Sequence, residues 1–474
     1  MKISRFLAAT LLFAAVSTGA QAQRGGTSAV DLADLALSLN RIQEPELSER
    51  DMSRALDELV GQARKALAGV TDPARRVARL NEVLLAGRQV SYLSNKYWRD
   101  STLAASLLRK QGNCLSTTTL YVVVGAELDL PIHAVLIPKH AFARYEDENV
   151  SINIETTSGG AEKPDEEYRE WFFYPQVEVE TQGYGRSLTR AEFASVLHHY
   201  AGRHLYQLER HEEALAQVEE ARKLWPDNPG YELERLLVLY DGLGRREEAL
   251  AGYELLLRST ASVEVRTSAL LGLAGDRHAR GGEDEALAML RPAYGMAPKY
   301  LQARILSLMA SCYRTQRRFG EALQCQELST VLEGEAEDYT GLAIYYKNAD
   351  RLDDAIWALE QSLAKNPENW NTRLILAGYM IRAGREEDGW KMKETVEAPR
   401  VEVEFFETNM AWFYGSVGKK AEFLEHLGKA LDLSQSAHIL SYIETEVDFD
   451  RYREDPDFRA LVEKHRRRLM GDGR

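Results

Sequence analysis

Residues 110–160 read KQGNCLSTTTLYVVVGAELDLPIHAVLIPKHAFARYEDENVSINIETTSGG, and this stretch decides the fold of the first part of the chain. Cys114 follows a turn-like Gln-Gly-Asn and opens an apolar run with helical spacing, so the pattern predicts a helix that begins at the cysteine. The partial positive charge at a helix N-terminus favours the thiolate form of a cysteine. Cys114 is therefore the candidate nucleophile.

Three β-like runs follow this helix, over residues 132–137, 140–145 and 150–156. Apolar and polar residues alternate in the last two runs, which is typical of a half-buried hairpin. A turn of two residues (147–148) or of four (146–149) gives cross-strand partners whose residue numbers sum to 295. The sequence therefore predicts both a hairpin and its register.

This register places His140 directly opposite Glu155 on the polar face of the hairpin. The Cβ atoms of opposed residues lie roughly 4.5–5.5 Å apart, so we expect the Glu155 carboxylate to hold the imidazole by its Nδ1–H. A base held by an acid beside a thiol is the arrangement of an activated nucleophile. Asn153 lies on the same face and is the reserve candidate for the third member.

The order of these residues resembles the transglutaminase-like fold of the papain-like superfamily: a cysteine at a helix start, a histidine on one strand and an acid on the next. The strings GNCLSTTTLY, LDLPI, IPKHAFARY and INIETTSGG are similar to its bacterial branch, and the resemblance covers residues 80–192. It implies an α+β domain in which helices pack on a small antiparallel sheet. It also implies Cys114 as nucleophile, His140 as base and Glu155 in the place usually held by aspartate.

Two groups are candidates for the donor that would stabilise an oxyanion. Gln111 lies three residues before the cysteine, where the resemblance implies that a nearby glutamine takes this role. The backbone N–H of Cys114 is the other candidate, because an N–H group at a helix start has no partner within the helix.

The N-terminus predicts export. Residues 1–22 combine a short basic start, an apolar run and an Ala-Gln-Ala ending, which is typical of a cleaved signal peptide, and residues 23–30 are predicted to be a disordered linker. The apolar run is too short for a lasting membrane span, so a periplasmic or secreted product without a stable membrane anchor is expected. Removal of the leader takes the formal charge from −14 to −16, which disfavours nucleic acid as a partner.

The remaining motifs predict no metal and no cofactor. The chain has no Gly-rich phosphate loop followed by Lys-Ser or Lys-Thr, no His-Glu-x-x-His and no cysteine pair with zinc spacing. His198 and His199 are adjacent and face apart on a helix, which favours a solvated pair over a metal site. Cys312 and Cys325 fall on the two helices of one predicted repeat, either as buried core residues or as a mutual disulfide.

From Arg190 onward the chain repeats with a period of 33 to 37 residues. Mostly small residues recur at one position of each second helix and, twelve residues earlier, at one position of each first helix. The second-helix positions are Ala214, Ala249, Ala286, Ala322, Ala355, Gly389 and Phe423, and the first-helix positions are Gly202, Leu237, Ala274, Ala310, Ala343, Ala377 and Ala411. This pattern resembles the tetratricopeptide repeat (TPR), an all-α solenoid of stacked helix pairs with a concave groove.

These observations predict a transglutaminase-like domain over residues 31–192, TPR repeats over 193–443, and a C-terminal capping helix and tail over 444–474. A fragment that starts near Arg190 is expected to fold alone, because each repeat contacts only its neighbours. The groove predicts a protein or peptide partner, and the acidic net charge favours a basic or polar one.

The resulting hypothesis is an exported cysteine acyl-transfer enzyme that forms a thioester and releases it to water or to an amine, with hydrolysis favoured. The alternative is a non-catalytic interaction or assembly factor that has kept a degenerate transglutaminase-like domain. A purely structural repeat scaffold is the third class.

Overall fold

The computed structural model describes most of the chain as a helical protein with a small antiparallel sheet. The described residues are 30–88, 91–92, 98–171, 173–333, 336–399, 403–434 and 438–470. The predicted signal peptide and residues 23–29 of the predicted linker lie outside these ranges. Internal contacts divide the chain between Leu273 and Ala274 into two compact units, which we call the N-terminal unit and the C-terminal unit.

Four helices of the N-terminal unit precede the cysteine: α1 (Leu32–Gln43), α2 (Glu49–Ala66), α3 (Pro73–Leu84) and the short α4 (Leu103–Leu107). The first three begin at a side-chain cap, since Asp31, Ser48 and Asp72 each accept hydrogen bonds from N–H groups of the first turn. These caps fix where each helix starts. They leave the apolar faces of α1 and α2 to pack on the helix that follows the cysteine.

Helix α5 (Cys114–Glu127) is the central element of this unit, because every residue from Cys114 to Gly125 is buried. A helix that is apolar all round must be covered on every side. Helices α1 and α2 contact it, and so does a sheet. The strands are a short parallel pair, β1 (Ser91–Tyr92) and β2 (Gln111–Gly112), and an antiparallel sheet of β3 (Ile132–Ile137), β4 (His140–Glu146) and β5 (Ser151–Ile154) in that order.

The hairpin of β4 and β5 is confirmed, but its predicted register is wrong by two residues. Arg144 pairs with Asn153, so partner numbers sum to 297 and not to 295. The side chain of Asp147 causes the difference, because its Oδ1 accepts from the N–H groups of Asn149 (2.9 Å) and Val150 (3.0 Å) and so closes the loop over residues 147–150. A shift of two residues keeps every side chain on its predicted face.

Seven further helices or parts of helices complete the N-terminal unit: α6 (Asp165–Trp171), α7 (Gln176–Gln182), α8 (Arg190–Gln207), α9 (His211–Leu224), α10 (Pro229–Leu237), α11 (Arg246–Ser259) and α12 (Val263–Ala279), which crosses into the other unit. Glu178 Oε1 caps the start of α12 by accepting from the N–H groups of Val263 (2.8 Å) and Glu264 (3.1 Å). The segment after the sheet is thereby bonded to the third helix pair.

The first predicted repeats share the core of the region that contains Cys114. Phe193, Leu197, Trp225 and Tyr231 belong to the same buried apolar cluster as Cys114. The boundary that the sequence predicted after residue 192 therefore does not coincide with a break in packing. The repeat period shows where repeats begin along the sequence. The extent of a hydrophobic core depends instead on which helix and sheet faces pack together in three dimensions.

The C-terminal unit consists of helix pairs followed by a terminal helix. Its elements are α13 (Glu283–Met296), α14 (Lys299–Thr315), α15 (Phe319–Glu333), α16 (Ala336–Asn348), α17 (Leu352–Lys365), α18 (Trp370–Arg382), α19 (Glu386–Glu394), α20 (Val403–Ser416), α21 (Lys420–Leu433), α22 (His438–Thr445), a 3₁₀ turn (Val447–Tyr452) and α23 (Pro456–Met470). The predicted small positions are buried: Ala310, Ala343 and Ala377 are all 0 % exposed. Cys312 and Cys325 are buried free thiols, so the disulfide alternative is excluded.

One predicted repeat position is wrong. Leu237 is only partly buried, and its neighbour Val238 takes the fully buried position. The helix forms a single π turn there, Val238–Gly242, which accommodates one extra residue in the helix. At Gly389, in contrast, glycine is required, because a Cβ atom would lie 2.7 Å from the carbonyl oxygen of Ala377. Across the described residues, no helix combines the length and the apolar character that a bilayer span requires.

Candidate active site

Cys114 lies at the first position of α5, as predicted, and is 5 % exposed. Asn113 caps this helix: its Oδ1 accepts from the N–H groups of Leu115 (3.0 Å) and Ser116 (3.2 Å), while its Nδ2 donates to Ser101 Oγ (2.6 Å). The N–H of Cys114 also lies in the first turn of α5. Within the described residues it has no hydrogen-bond acceptor, because Asn113 Oδ1 accepts from the next two N–H groups. The helix start presents a thiol and an N–H group side by side.

Gln111 lies on strand β2, three residues before the cysteine, and its side chain is exposed. Gly112 separates it from the cap residue, and a Cβ atom at Gly112 would lie 2.2 Å from Ser116 Oγ. The close approach of this strand to α5 therefore requires glycine. The role of Gln111 as an oxyanion donor stays a prediction.

His140 lies at the first position of β4 and bonds Glu155 as predicted, but through the other ring nitrogen. Its Nε2 lies 2.8 Å from Glu155 Oε2, and the ring also makes a hydrogen bond with Cys114. Because Nε2 faces the carboxylate, Nδ1 is the nitrogen that faces the sulfur. The expected Nδ1–H contact with Glu155 is therefore wrong, since it assumed two residues in direct cross-strand register and the real pair is diagonal.

Glu155 is 2 % exposed, and its carboxylate accepts four hydrogen bonds. Oε2 accepts from His140 Nε2 and from the Tyr168 hydroxyl (2.9 Å). Oε1 accepts from the Thr157 N–H (3.0 Å) and the Thr157 hydroxyl (2.5 Å). A buried carboxylate with all of its acceptor sites used is fixed in position and stays ionised.

The pKa values of the pair shift in opposite directions. Burial lowers the pKa of His140, but the hydrogen bonds and charges of Cys114 and Glu155 outweigh it and raise the pKa to about 10. Burial raises the pKa of Glu155, and the opposing bonds from His140 and Thr157 lower it to about 2. Imidazolium and carboxylate are therefore the forms that this geometry favours at neutral pH.

The turn after Glu155 explains the Gly-Gly pair of the sequence motif. The chain closes a loop in which the N–H of Gly160 donates to the carbonyl of Glu155 (3.0 Å). Gly159 and Gly160 have φ values of +67° and +82°, which favour glycine. A Cβ atom at Gly160 would also lie 2.3 Å from the side chain of Asn81, whose Nδ2 donates to the Gly160 carbonyl (2.8 Å).

Asn153 lies on the predicted face, but it bonds a different set of residues. Its Oδ1 accepts from Arg144 Nε (2.6 Å), and its Nδ2 donates to Asp165 Oδ1 (2.7 Å) and to the carbonyl of Lys163 (2.8 Å). Arg144 also donates to Asp165 Oδ1 (2.6 Å). Asn153 thus joins the hairpin to the segment that leads into α6, and Glu155 is the residue that contacts His140.

Three residues around the site were missed by the sequence reasoning. Tyr168 stacks on Phe142 with ring centroids 4.1 Å apart and orients its hydroxyl to Glu155. Thr157 follows the acid by two residues. Tyr200 on α8 is partly buried, and burial followed by the charge of Cys114 raises the pKa of its phenol. Tyr168 and Tyr200 gave no positional signal, because their partners are distant in sequence, whereas the place of Thr157 two residues after the acid was visible in the sequence.

The predicted solvated histidine pair is wrong. His199 is 1 % exposed, with its ring centroid 5.4 Å from that of Tyr231, and burial lowers its pKa. His198 bonds Gln217 Oε1 at 2.8 Å through Nδ1. Within the ranges that the structure describes, no group of three or more His, Cys, Asp or Glu side chains has the geometry of a metal site.

Comparisons with known proteins agree with the order of these elements. Residues 50–224 match the family model of the transglutaminase-like superfamily, so this part of the chain is a transglutaminase-like domain, longer at both ends than residues 80–192. No curated protein matches the chain.

Several solved structures are similar in fold to the helix pairs. TTC0263, a thermophilic TPR protein in Thermus thermophilus, is 23% identical over 40% of this chain and 99% of its own, with a TM-score of 0.33. A tetratricopeptide repeat protein from Parabacteroides merdae is 14% identical over 54% and 98%, with a TM-score of 0.38. A human IFIT1 dimer with m7Gppp-AAAA is 12% identical over 93% and 95%, with a TM-score of 0.41.

Proposed function

We propose that this chain is an exported cysteine acyl-transfer enzyme in which Cys114, His140 and Glu155 are catalytic and the TPR helix pairs bind a protein or peptide. The observation that carries the proposal is the continuous set of hydrogen bonds from Cys114 through His140 to the fully bonded carboxylate of Glu155. A thiol, a base and an orienting acid in this order are the parts of an activated nucleophile. The signal-like residues 1–22 support export.

In the first step, the Cys114 thiolate attacks the carbonyl carbon of an amide. The C–S bond forms, and the carbonyl oxygen becomes an oxyanion that the Cys114 N–H stabilises, as electrostatic donors do in acyl transfer. The His140 imidazolium then gives its proton to the amide nitrogen, and the C–N bond breaks. An amine leaves, and a thioester with a neutral imidazole remains.

In the second step, neutral His140 takes a proton from water or from an acceptor amine, whose oxygen or nitrogen attacks the thioester carbon. The C–S bond breaks as the second intermediate collapses, which returns the thiolate and the imidazolium. Glu155 stays ionised throughout and stabilises the imidazolium, as a buried orienting carboxylate does. Water is the expected acceptor, so the reaction class is amide hydrolysis, with transamidation as its variant.

Alkylation of the intact protein by iodoacetamide between about pH 5 and 9 tests this proposal. The imidazolium of His140 stabilises a thiolate, so we expect iodoacetamide to label Cys114 in the wild type and to label it more slowly in the His140→Ala variant. The Cys114→Ser variant should lose this labelling. The Cys312→Ser/Cys325→Ser variant should keep it, since burial raises the pKa of both of those thiols.

The second candidate function is a non-catalytic interaction or assembly factor. The burial of Cys114, at 5 % exposure, and of the His140 side chain, at 13 %, favours it, because a substrate must reach both groups. Equal labelling rates of Cys114 in the wild type and in His140→Ala, or labelling that goes to Cys312 or Cys325 instead, would select this candidate and overturn the enzymatic one.

A further inference from the structure

A row of basic residues follows the small positions in the first helices of the C-terminal unit. Arg314 on α14 lies four residues after Ala310, and Lys347 on α16 lies four residues after Ala343. Arg382 on α18 lies five residues after its own small position, Ala377. Four residues are little more than one helical turn, so Arg314 and Lys347 lie on nearly the same side of their helices as the small residues, whereas Arg382 is the last residue of α18.

One acidic side chain bridges three of these first helices. Asp448 lies in the 3₁₀ turn, within the segment Glu446-Val-Asp-Phe-Asp450, which we call the acidic segment. Its Oδ2 accepts from Lys347 Nζ (2.8 Å) and from Trp412 Nε1 on α20 (2.9 Å), and its Oδ1 accepts from Arg382 (2.9 Å). Asp448 is therefore held by α16, α18 and α20 at once.

The other two acids of the segment also lie near cations. Asp450 Oδ2 lies 3.2 Å from a guanidinium nitrogen of Arg317, which follows α14. Burial raises the pKa of Glu446, while the charges of Lys347 and Arg314 oppose that rise. The three carboxylates thus lie near four cations from successive helix pairs: Arg314 and Lys347 within first helices, Arg382 at a helix end and Arg317 in the loop after α14.

The residue between the two aspartates is an aromatic anchor. Phe449 is 0 % exposed, and its ring centroid lies 4.9 Å from that of Phe423 and 5.9 Å from that of Tyr442. Five consecutive residues therefore combine acids that contact cations of the helix pairs with an aromatic side chain that packs on Phe423 and Tyr442. This is how a short peptide binds a groove, with an anchor for affinity and charges for selection.

We propose that this basic row is a binding site for acidic peptide segments of a partner protein with an aromatic residue between two acids, and that the chain's own acidic segment fills the site in cis. A buried ionic cluster stabilises a fold poorly compared with apolar packing of the same volume, whereas complementary charges select and orient a ligand. The proposal is independent of Cys114. It proposes an acidic partner segment in place of the basic or polar partner expected from the net charge, because the local charge of the row is opposite to the net charge of the chain.

The test uses the full chain and a dye-labelled peptide, ETEVDFDRYR, which copies residues 444–453. The Asp448→Asn/Asp450→Asn chain, which we call the loosened chain, keeps Phe449. It weakens the contacts between the chain's own acidic segment and the basic row. We expect it to bind the peptide roughly tenfold or more tightly than the wild type, a change of about 1.4 kcal/mol. The matched control, Asp353→Asn/Asp388→Asn, removes the same charge at exposed positions outside the row and should bind as the wild type does.

Two further measurements keep the test decisive. Lys347→Gln in the loosened chain should abolish the binding, and hydrogen exchange should show faster exchange of the amides of residues 446–452 in the loosened chain. If that chain does not fold, excess peptide should accelerate the same amides in the wild type. Equal binding to all chains, binding to none, or unchanged exchange of these amides would each overturn the proposal. None of these readouts depends on the thiol.

Discussion

The hydroxyl of Tyr168 donates to Glu155 Oε2 at 2.9 Å, the same oxygen that lies 2.8 Å from His140 Nε2. The acid is therefore oriented from two sides, by the base on β4 and by an aromatic residue on α6. Tyr168 is 1 % exposed and stacks on Phe142, so its hydroxyl has a fixed direction. The position of the carboxylate depends on this second contact as well as on the hairpin.

The Tyr168→Phe variant removes the hydroxyl and keeps the stacked ring. We expect it to lower the free energy of unfolding by about 1.5–3 kcal/mol, the range for a hydrogen bond to a charged group, and to change the labelling of Cys114 little. Chemical denaturation followed by tyrosine and tryptophan fluorescence measures this change. Tyr145→Phe is the matched control, because among the described residues its hydroxyl has a single long contact, 3.4 Å from Arg76. An equal loss in both variants would contradict the orienting role of Tyr168.

The Glu155→Gln and Asn153→Ala variants test which of the two residues is the third member of the catalytic set. Loss of the carboxylate removes the charge that stabilises the imidazolium, so we expect iodoacetamide labelling of Cys114 at about pH 6 to slow by roughly tenfold or more, since one pKa unit corresponds to 1.36 kcal/mol. The Asn153→Ala variant should keep the labelling and lose stability, because it leaves buried Arg144 with one partner fewer. The reverse ranking of the two variants would make Asn153 the third member.

The contribution of the His140–Glu155 pair to stability should depend on pH at both ends. The pKa of Glu155 is lowered to about 2, so its contribution is complete above its ordinary value of 4.5 and is lost as the pH falls towards 2. The pKa of His140 is raised to about 10, so its contribution is complete below 6.5 and is lost as the pH rises through 10. Hence the difference in melting temperature between wild type and Glu155→Gln should be largest between these two ordinary values. A difference that is flat with pH would contradict the ionised pair.

Shortened chains test where the transglutaminase-like core ends. A chain that stops after residue 192 lacks Phe193, Leu197, Trp225 and Tyr231, which are buried in the core of Cys114. We expect it to lose cooperative thermal unfolding and near-ultraviolet circular dichroism. A chain that stops at Ala279, the end of α12, keeps these residues and should unfold cooperatively with Cys114 still reactive. Cooperative unfolding of the shorter chain would support the boundary that the repeat period predicted.

The sequence by itself determined the features that local pattern specifies. The helix that begins at Cys114, the polar face of the β4–β5 hairpin and the small positions of the helix pairs all follow from periods of 3.6 and 2 and from the repeat spacing. Each of these depends on residues that are close in sequence or on a regular interval. They were therefore available before any tertiary contact was known.

The tertiary structure decided what depends on distant partners. The side chain of Asp147 set the hairpin register, and with it the ring nitrogen that His140 turns towards Glu155. The charge around the acidic segment is also a tertiary property, since cations from separate helices meet there although the chain as a whole carries −14. A net charge sums over the sequence without position, whereas binding depends on the few charges that lie within a Debye length of about 8–10 Å.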